Sequence, residues 1–502
     1  MIIRTPLTLL AGFAPDVTAI VDDAGTLRAG RLRSLVYAEQ RWLAASGGRR
    51  FALLAGNGRA WTITDLALLA LGRVNVPLPQ HFSAGQLAHA IDSAGVDAVL
   101  SDHPQRLLEL GLGFMPAASS PQTGLALLTR RGAEAQEPPL PAGTVKITFT
   151  SGSTAEPKGV CLTQAALVAV ARSVAAVAQP LGIRRHLCLL PLATLLENVA
   201  GLYAALLAGV TCYLPATTPG AIARGALTPA TLLAEVSGCR PGSLILVPEL
   251  LRLLVAGAEA GWAPPANGRF FAVGGARVSP ELLERAGALG LPVFEGYGLS
   301  ECASVTCLNT PLANRRGSVG RPLPHTALRV DDCGEIHVGG TLMAGYVGGP
   351  ALDPAQGFAT GDLGEIDRDG FVHVRGRLKN LFINSYGRNL SPEWIESELA
   401  REPAIGQAIA CGEAQPQVVA LVTPAHPGIT AAAIAAAVER ANARLPAYAR
   451  VMRHCVMVER PSLANGLLTG NGRPRRERIL RHYRATIAQL HAGAVPCPST
   501  TA

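Results

Sequence analysis

Residues 148–160, TFTSGSTAEPKGV, join a strand to a loop of small and hydroxyl-bearing residues. Apolar side chains at Val145, Ile147 and Phe149 share one face, which is the period of a strand. The loop gathers hydroxyls, N–H groups of small residues and one cation, at Thr150, Ser151, Gly152, Ser153, Thr154 and Lys158. Such a loop can wrap phosphate oxygens, because glycine permits close backbone approach and successive N–H groups form an anion-binding nest. The alternative is a surface turn, and the spacing is not the GxxxxGK of an ordinary P-loop enzyme.

Short β-rich runs alternate with helical runs around this loop, from about residue 50 to 300. A helix is predicted over 163–181, and further short strands are predicted at 187–190, 244–247, 270–273 and 293–294. Ser279-Pro280-Glu281 predicts the start of another helix, with a serine cap, a first-turn proline and an acidic residue near the positive end of the dipole. This alternation predicts a largely parallel sheet covered by helices.

The pattern changes towards the C-terminus. Between residues 317 and 376, Gly and Asp punctuate short strands, which predicts a small antiparallel or barrel-like subdomain. A later unit has its own helix start at Ser391-Pro392-Glu393 and an Ala-rich helix over about 430–445. We therefore predict an α/β protein with two domains: a large N-terminal domain of parallel sheets covered by helices plus the β-barrel-like subdomain (1–376), and a small α+β C-terminal domain (381–502), with the domain boundary at 377–380.

The composition is that of a well-buried globular protein with more than one core. The chain has 502 residues, 49% hydrophobic and 16% charged, which excludes a disordered chain. Residues 199–215 are apolar and about as long as a membrane span. However, Gly209 would end a helix there, and residues 210–213 read as a strand. We expect a buried helix and strand at this position, no transmembrane segment and no signal peptide.

The cysteine pattern and the net charge limit the compartments and the classes of ligand that the sequence allows. Ten cysteines are scattered without a CxxC pair, which predicts reduced thiols in a cytoplasmic protein. The net charge of +8 is carried almost wholly by arginine, because Lys146, Lys158 and Lys379 are the only lysines. A modest positive excess fits phosphate-bearing ligands. Nucleic-acid binding is not expected, since aromatic residues are 5% of the chain and no basic stripe is interleaved with them. Peripheral contact with a membrane surface is compatible with this composition.

Residues 150–159, TSGSTAEPKG, resemble the phosphate-binding signature of the adenylate-forming (AMP-binding) superfamily. This superfamily comprises acyl-CoA synthetases, adenylation domains of peptide synthetases and luciferases. The resemblance implies that the loop holds the β- and γ-phosphates of ATP, with Thr150 and Lys158 taking part in catalysis. Further matching segments follow in the order that the superfamily requires, and they extend the resemblance from about residue 50 to 485.

Residues 295–301, EGYGLSE, resemble the adenine-site motif, which includes Glu295, Gly296, Tyr297 and Gly298. The resemblance implies that Tyr297 lies against the base, that Ser300 approaches the α-phosphate and that Glu301 holds Mg²⁺. A plain turn would explain Gly-Tyr-Gly but not the Ser-Glu that follows. The loop Gly274-Gly275-Ala276 looks like the segment that lines the adenine and acyl sites.

Thr360-Gly361-Asp362 resembles the ribose clamp, in which a carboxylate accepts hydrogen bonds from both ribose hydroxyls. The resemblance implies a second ribose contact at Arg377, a hinge at Lys379 and a thiol-acceptor face around Gly387. It also implies two reactions in one cavity. A carboxylate first attacks the α-phosphate of Mg-ATP, giving acyl-AMP and pyrophosphate; the small domain then rotates, and the thiol of CoA attacks the acyl-AMP.

Two segments resemble medium- and long-chain fatty acyl-CoA synthetases in particular. Residues 190–199, LPLATLLENV, are similar to the pattern LPLSHxxE of those enzymes. Thr194 stands where they usually carry His, and Glu197 matches their acidic residue. The tail segment 465–479, NGLLTGNGRPRRERI, is similar to their NGLLTPTxKxxR. The expected substrate is therefore a medium- or long-chain fatty acid.

The tail also departs from the family pattern. Alignment on NGLLT places Arg473 where the family has a lysine that bridges the substrate carboxylate and the α-phosphate. An arginine keeps the charge, but its planar fork does not simply replace a compact ammonium group. We favour an active acyl-CoA or acyl-carrier-protein ligase that uses Arg473. The alternatives are an adenylation-impaired protein that binds nucleotide or acyl-adenylate, and an enzyme that runs mainly the thiol-transfer step.

A basic cluster surrounds this position, at Arg473, Arg475, Arg476, Arg478 and Arg481. Two partners are compatible with it: the phosphates of CoA and the acidic surface of an acyl carrier protein. A solvated basic helix face is the third interpretation.

Overall fold

The computed structural model describes residues 8–130, 137–150, 157–223, 226–383, 385, 389–462, 464–468 and 474–493. The strands in these residues are β1 (Thr18–Asp22), β2 (Gly25–Arg28), β3 (Arg50–Leu54), β4 (Val74–Pro77), β5 (Ala98–Ser101), β6 (Phe114–Ser119), β7 (Ala126–Arg130), β8 (Thr144–Thr150), β9 (Lys158–Thr163), β10 (Arg185–Leu187), β11 (Thr211–Leu214), β12 (Ser243–Leu246), β13 (Phe270–Val273), β14 (Val293–Tyr297), β15 (Cys307–Leu308), β16 (Arg321–Pro322), β17 (Thr326–Val330), β18 (Glu335–Gly340), β19 (Gly345–Tyr346), β20 (Phe358–Ile366), β21 (Val372–Arg377), β22 (Phe382–Ile383), β23 (Asn389–Leu390), β24 (Ile405–Cys411), β25 (Val418–Pro424) and β26 (Val451–Val456).

Helices connect most of these strands. The α-helices span Ala29–Ala45, Arg59–Leu71, Ala84–Ser93, Pro104–Leu108, Gln164–Ala178, Ala204–Leu207, Thr217–Ala223, Pro229–Cys239, Pro248–Glu259, Pro280–Ala288, Pro392–Ala400, Ala431–Arg444, Arg476–His482 and Arg484–Ala492. Single 3₁₀ turns occupy Gln179–Leu181, Ser300–Cys302, Leu378–Asn380 and Ala447–Ala449. A π-helix spans Leu196–Tyr203.

Two large sheets form the N-terminal part. The nine-stranded sheet has the order β16-β15-β14-β13-β12-β10-β11-β1-β2, and the eight-stranded sheet has the order β19-β9-β8-β4-β3-β5-β7-β6. Their central pairs are parallel, as in β12–β13, β13–β14 and β3–β4. Antiparallel strands are added towards the edges, as in β14–β15 and β8–β9. The predicted α/β fold class is confirmed, with sheets that are mixed rather than purely parallel.

The main core lies between the two sheets. The helix Gln164–Ala178 contacts β8 and β9 on one side and the π-helix Leu196–Tyr203 on the other, and that π-helix contacts β12. Thr163 starts the first of these helices, because its side chain accepts a hydrogen bond from Ala166 N at 3.1 Å. The predicted helix start at Ser279 is also present, since its hydroxyl accepts from Leu282 N at 3.3 Å.

The apolar segment 199–215 is a buried helix followed by a buried strand, as expected. The helical part ends at Leu207, Gly209 adopts φ +70°, and β11 follows. Among the described residues, the window Gln164–Leu181 has the length and apolar composition of a membrane span, and 44% of it is buried in the protein. That window belongs to the helix between the sheets, and a core helix passes the same test.

One predicted strand begins and ends earlier than expected. The pattern predicted residues 187–190, whereas β10 is Arg185–Leu187 and pairs with β11 and β12. The strand is not extended to residue 190, because Leu190 N donates to the side chain of Glu197 at 2.9 Å instead of to a neighbouring strand.

The C-terminal third contains the smaller units. The four-stranded antiparallel sheet β17-β18-β20-β21 occupies the predicted β-rich region. It is followed by the three-stranded sheet β24-β25-β26, which packs with the helices Pro392–Ala400 and Ala431–Arg444 around its own apolar core. Ser391 caps the first of these helices, accepting from Trp394 N at 3.3 Å. The hinge at 377–380 remains a prediction.

Candidate active site

Tyr297, Asp362 and Arg377 form one hydrogen-bonded cluster. β20 and β21 are antiparallel and pair Asp362 directly with Arg377, so these side chains project from the same face of the sheet. Arg377 Nε lies 2.6 Å from Asp362 Oδ1, and the Tyr297 hydroxyl donates to Oδ2 at 2.5 Å. Asp362 is 3% exposed. The buried Asp362 carboxylate is therefore held in one orientation by its two neighbours.

The phenol of Tyr297 is held in its protonated form. Burial, and then the neighbouring Asp362 carboxylate, raise the pKa of Tyr297. The hydroxyl therefore acts as a donor to Asp362. Asp362 N in turn donates to Thr360 Oγ1 at 3.1 Å, and the Thr360 hydroxyl donates to Ile336 O at 2.7 Å. The predicted ribose segment is thus tied to β18 as well as to β21.

Close backbone packing explains the glycines of the adenine motif. A Cβ atom at Gly298 would lie 1.7 Å from Ser304 O, so no other residue fits without moving the backbone. The predicted loop Gly274-Gly275-Ala276 directly follows β13, which is parallel to β14. A Cβ at Gly274 would lie 3.2 Å from Gly296 O, and Gly275 has φ +83°. The loop and the motif therefore meet at one edge of the sheet, where ligands of open α/β sheets bind.

Glu295, the first residue of the predicted adenine motif, is buried, and its side chain accepts a hydrogen bond from Val278 N at 3.4 Å. It lines a cavity of about 140 Å³ to which the helix Pro280–Ala288 also contributes. Asn309 and Arg316 also line this cavity. Burial raises the pKa of Glu295 to about 7, although the charge of Arg277 opposes the shift.

Glu301 and Lys158 are brought together by Tyr346. Glu301 lies in the 3₁₀ turn Ser300–Cys302, which also carries Ser300. The Tyr346 hydroxyl donates to Glu301 Oε1 at 3.0 Å, and Lys158 Nζ lies 5.5 Å from the centroid of the Tyr346 ring. Burial, and then the Glu301 carboxylate, raise the pKa of Tyr346. Nothing in the sequence pattern marked Tyr346, because its position depends on a contact between distant segments.

The β8–β9 hairpin supports the predicted phosphate loop. Thr150 and Lys158 are paired across the base of the hairpin, so the loop projects from the end of both strands. Lys158 is exposed at this base. The loop residues Ser151, Gly152, Ser153 and Thr154, like the side chain of Thr150, lie outside the described residues.

The chemistry at Glu301 fits a magnesium site. Mg²⁺ is usually held by one or two carboxylates together with substrate phosphates. Oε1 of Glu301 accepts the Tyr346 hydroxyl, while Oε2 accepts no hydrogen bond from any described residue. One carboxylate oxygen thus remains for a cation, a short distance along the chain from the predicted α-phosphate contact Ser300.

The C-terminal predictions are described only in part. Lys379 lies in the 3₁₀ turn Leu378–Asn380, directly after Arg377, but its side chain, Gly387 and Arg473 lie outside the described residues.

The predicted basic cluster needs one correction. Arg476 does not belong to an open basic face, since its guanidinium is paired with Glu396 and donates to Ala410 O. Arg478 and Arg481 are exposed on the helix Arg476–His482.

An apolar cavity of about 50 Å³ lies beside the strands β12 and β13. Its walls come from the helix Gln164–Ala178, the helical segment 196–207 and strands β12 and β13. Val305 and Leu308, which follow the 3₁₀ turn that contains Glu301, close one side. The cavity therefore lies directly behind the strands that carry the predicted nucleotide contacts.

A buried polar group closes another side of this cavity. His186 Nε2 lies 3.2 Å from Glu197 Oε1, and His186 Nδ1 lies 3.0 Å from Ser243 Oγ. Glu197 Oε2 accepts Leu190 N, as noted above. A Cβ at Gly201 would lie 2.1 Å from Glu197 Oε1, so glycine makes room for this carboxylate within the π-helix. The motif glutamate thus fixes the segment that lines the cavity.

A second buried network joins the phosphate-loop strand to the same π-helix. Lys146, on β8, donates to Asp65 Oδ1 at 2.8 Å and lies 3.1 Å from the Tyr203 oxygen, and it also contacts Asn198. Burial lowers the pKa of Lys146, and the Asp65 carboxylate opposes that shift. Sequence reasoning missed this network, although the scarcity of lysine was a signal that could have marked Lys146.

Comparison with protein-family models matches the AMP-binding enzyme model over residues 11–347 and its C-terminal domain model over residues 379–494. The chain belongs to the AMP-binding enzyme family. As an AMP-binding enzyme it is an acid–thiol ligase of the AMP-forming type. The family resemblance stated from the motifs is thereby confirmed.

Relatives of this AMP-binding enzyme differ in the acid that their names specify. It is 28% identical to the long-chain-fatty-acid–CoA ligase FadD15 of Mycobacterium bovis, over 83% of this chain and 78% of the relative. It is 30% identical to the sulfoacetate–CoA ligase of Cupriavidus necator, over 81% of both chains.

Solved structures share the fold of this AMP-binding enzyme at low sequence identity. An anthranilate CoA ligase in complex with anthranoyl-AMP has a TM-score of 0.79, with 18% identity over 97% of this chain and 98% of that chain. The o-succinylbenzoate CoA synthetase of Bacillus subtilis with its acyl-adenylate has a TM-score of 0.74, with 22% identity over 95% and 98% of the two chains.

Proposed function

We propose that this AMP-binding enzyme activates a medium- or long-chain fatty acid with ATP and transfers it to the thiol of CoA. In the first step a carboxylate oxygen forms a bond to the α-phosphorus, the bond from that phosphorus to the bridging oxygen breaks, and pyrophosphate leaves. In the second step the thiolate sulfur attacks the acyl carbonyl carbon and AMP leaves, while the thiol proton passes to solvent. The adjoining nucleotide cluster and apolar cavity are the observation that carries this proposal.

Each described site residue has a role in positioning the nucleotide. Asp362 and Arg377 bind the ribose hydroxyls, and Tyr297 orients Asp362 and packs against the base. Lys158 contacts the phosphates, and Glu301 holds Mg²⁺, which when bound neutralises phosphate charge. These residues form no covalent bond to the substrate, so positioning and electrostatics supply the rate enhancement of the first step.

The cavity supports an aliphatic acid. Its walls are mostly alanine, valine, leucine and phenylalanine side chains, and its polar residues His186 and Ser243 are bonded to each other. An apolar ligand is favoured there, because a charged tail would be desolvated without a partner. FadD15 of Mycobacterium bovis, whose name specifies long-chain fatty acids, supports the same choice.

Pyrophosphate release from Mg-ATP tests the proposed reaction. Purified protein would be given straight-chain acids of increasing length, together with ferulate, sulfoacetate and anthranilate, in the presence of CoA, a holo acyl carrier protein or neither. We expect release with medium- or long-chain acids and acceleration by CoA. Acceleration by the carrier protein alone would show that the carrier protein, and not CoA, is the thiol acceptor. No release by protein that still binds ATP would favour the adenylation-impaired alternative and implicate Arg473.

Filling the cavity tests the acid-binding role. Ala204 is buried in its wall, and Ala204→Leu would occupy part of the space. We expect the preferred acid to become shorter and the KM of the longest accepted acid to rise about tenfold, since one or two methylene groups lose their burial. The KM for ATP should stay within about twofold. The control is Ala256→Leu, at an exposed alanine of the helix Pro248–Glu259. An unchanged chain-length profile would show that the acyl chain does not bind in this cavity.

We also propose a cytoplasmic location. All nine cysteines among the described residues are free thiols, and eight of them are buried. Free buried thiols suit a reducing compartment, where ATP and CoA are also abundant.

A further inference from the structure

Residues 341–347 form a strap between the phosphate hairpin and Glu301. On one side Gly345 and Tyr346 pair with β9, the strand that Lys158 begins, and Val347 N donates to Gly159 O at 2.9 Å. On the other side Met343 N donates to the backbone oxygen of Glu301 at 2.7 Å. One short segment therefore contacts both parts of the predicted phosphate and metal site.

Tyr346 continues this bridge with its side chain. Its hydroxyl donates to Glu301 Oε1 at 3.0 Å, and its ring lies 5.5 Å from Lys158 Nζ, within the range of a cation–π contact. Among the described residues, no ion pair joins Lys158 to Glu301. The half-buried tyrosine thus contacts both charged side chains.

We propose that Tyr346 is a positioning residue for ATP activation, which fixes Glu301 for the cation and Lys158 for the phosphates. This inference rests on the proposed function. A carboxylate that accepts a hydrogen bond at Oε1 keeps one orientation and directs Oε2 towards a metal. A lysine held over an aromatic face loses less side-chain entropy when it meets a phosphate, because its long side chain is already partly ordered.

Two substitutions separate the two contacts. Tyr346→Phe removes the hydroxyl and keeps the ring, whereas Tyr346→Leu removes both. For Tyr346→Phe we expect the half-saturating Mg²⁺ concentration for pyrophosphate release to rise about tenfold, because the variant loses one hydrogen bond to a charged group. For Tyr346→Leu we expect a further loss of about threefold in the affinity for ATP. The control Tyr37→Phe, at an exposed tyrosine, should match the wild type.

Binding measurements separate positioning from folding and from the proposed function. Calorimetry would follow the Mg²⁺-dependent binding of a non-hydrolysable ATP analogue to each variant, together with its Tm. We expect Tyr346→Phe to weaken the Mg²⁺ dependence at an unchanged Tm, and to leave thiol transfer from added acyl-AMP unaltered. A wild-type Mg²⁺ dependence would overturn the inference, as would equal losses in both half-reactions with a lowered Tm. If no acid supports pyrophosphate release even in the wild type, the proposed function fails, while the binding comparison still decides the role of Tyr346.

Discussion

The proposed ribose end and the proposed phosphate end of the candidate site are built in different ways. At the ribose end, Asp362 and Arg377 are direct partners of two antiparallel strands, so backbone hydrogen bonds set their distance. At the phosphate end, Glu301 lies in a 3₁₀ turn and Lys158 begins an edge hairpin, and no described strand pair joins the two residues. Within the described residues, the strap that carries Tyr346 contacts both of them.

This difference predicts different responses to substitution. A cross-strand pair keeps its geometry when one side chain changes, because the ladder that positions it is intact. A pair positioned by a third side chain loses its geometry with that side chain. We therefore expect ribose-end variants to lose only the contact that was removed, and phosphate-end variants to lose alignment as well.

The largest effect is expected from Glu301→Gln. This change keeps the shape but removes the charge that would hold Mg²⁺, and we expect acyl-AMP formation to fall about a thousandfold. Pyrophosphate release at saturating ATP and acid would measure it. The matched control is Glu109→Gln, at an exposed glutamate. If release is unchanged, Glu301 is not the metal ligand, and the contrast between the two ends disappears.

A smaller loss is expected from Asp362→Asn. The amide still accepts one hydrogen bond, but it loses the charge that pairs with Arg377 and the second strong acceptor for ribose hydroxyls. We expect kcat/KM for ATP to fall about a hundredfold. Discrimination between ATP and 2′-deoxy-ATP should fall with it, whereas the Mg²⁺ dependence should not change. Asp332→Asn, at an exposed position in the turn between β17 and β18, is the control. A shifted Mg²⁺ dependence would show that the two ends are coupled.

The contrast also explains how much the sequence could predict. Features that depend on local spacing were predicted correctly: the β8 strand and the helix caps at Ser279 and Ser391. The fold class followed from the alternation of these elements. The family motifs named Glu301 and Lys158, but they gave no sign that Tyr346 would join them.

Contacts between segments distant in sequence were missed, because no periodicity encodes them. Lys146 meets Asp65 across 81 positions, and Tyr346 meets Glu301 across 45. The early end of β10 was missed for the same reason, since it depends on the side chain of Glu197. Arg476 was predicted to belong to a basic face, because no local pattern indicates its half-buried partner Glu396, 80 positions away.

The smallest effect on the reaction is expected at Glu295, which lies two residues before Tyr297. A substitution there acts on stability. Its pKa is raised from 4.5 to about 7 by burial, so the folded chain holds a proton that the unfolded chain has lost over this range. The free energy of unfolding should therefore decrease as the pH rises from about 4.5 to 7, and stay level with respect to this group above that. Glu295→Gln should abolish the decrease and raise the free energy of unfolding at pH 8 by about 3 kcal/mol, as chemical denaturation at several pH values would show. Glu284→Gln, an exposed glutamate on the helix above the cavity, should leave the pH dependence unchanged. If Glu295→Gln behaves like this control, the carboxyl group is ionised in the folded protein and the ribose end rests on a charged rather than a neutral group.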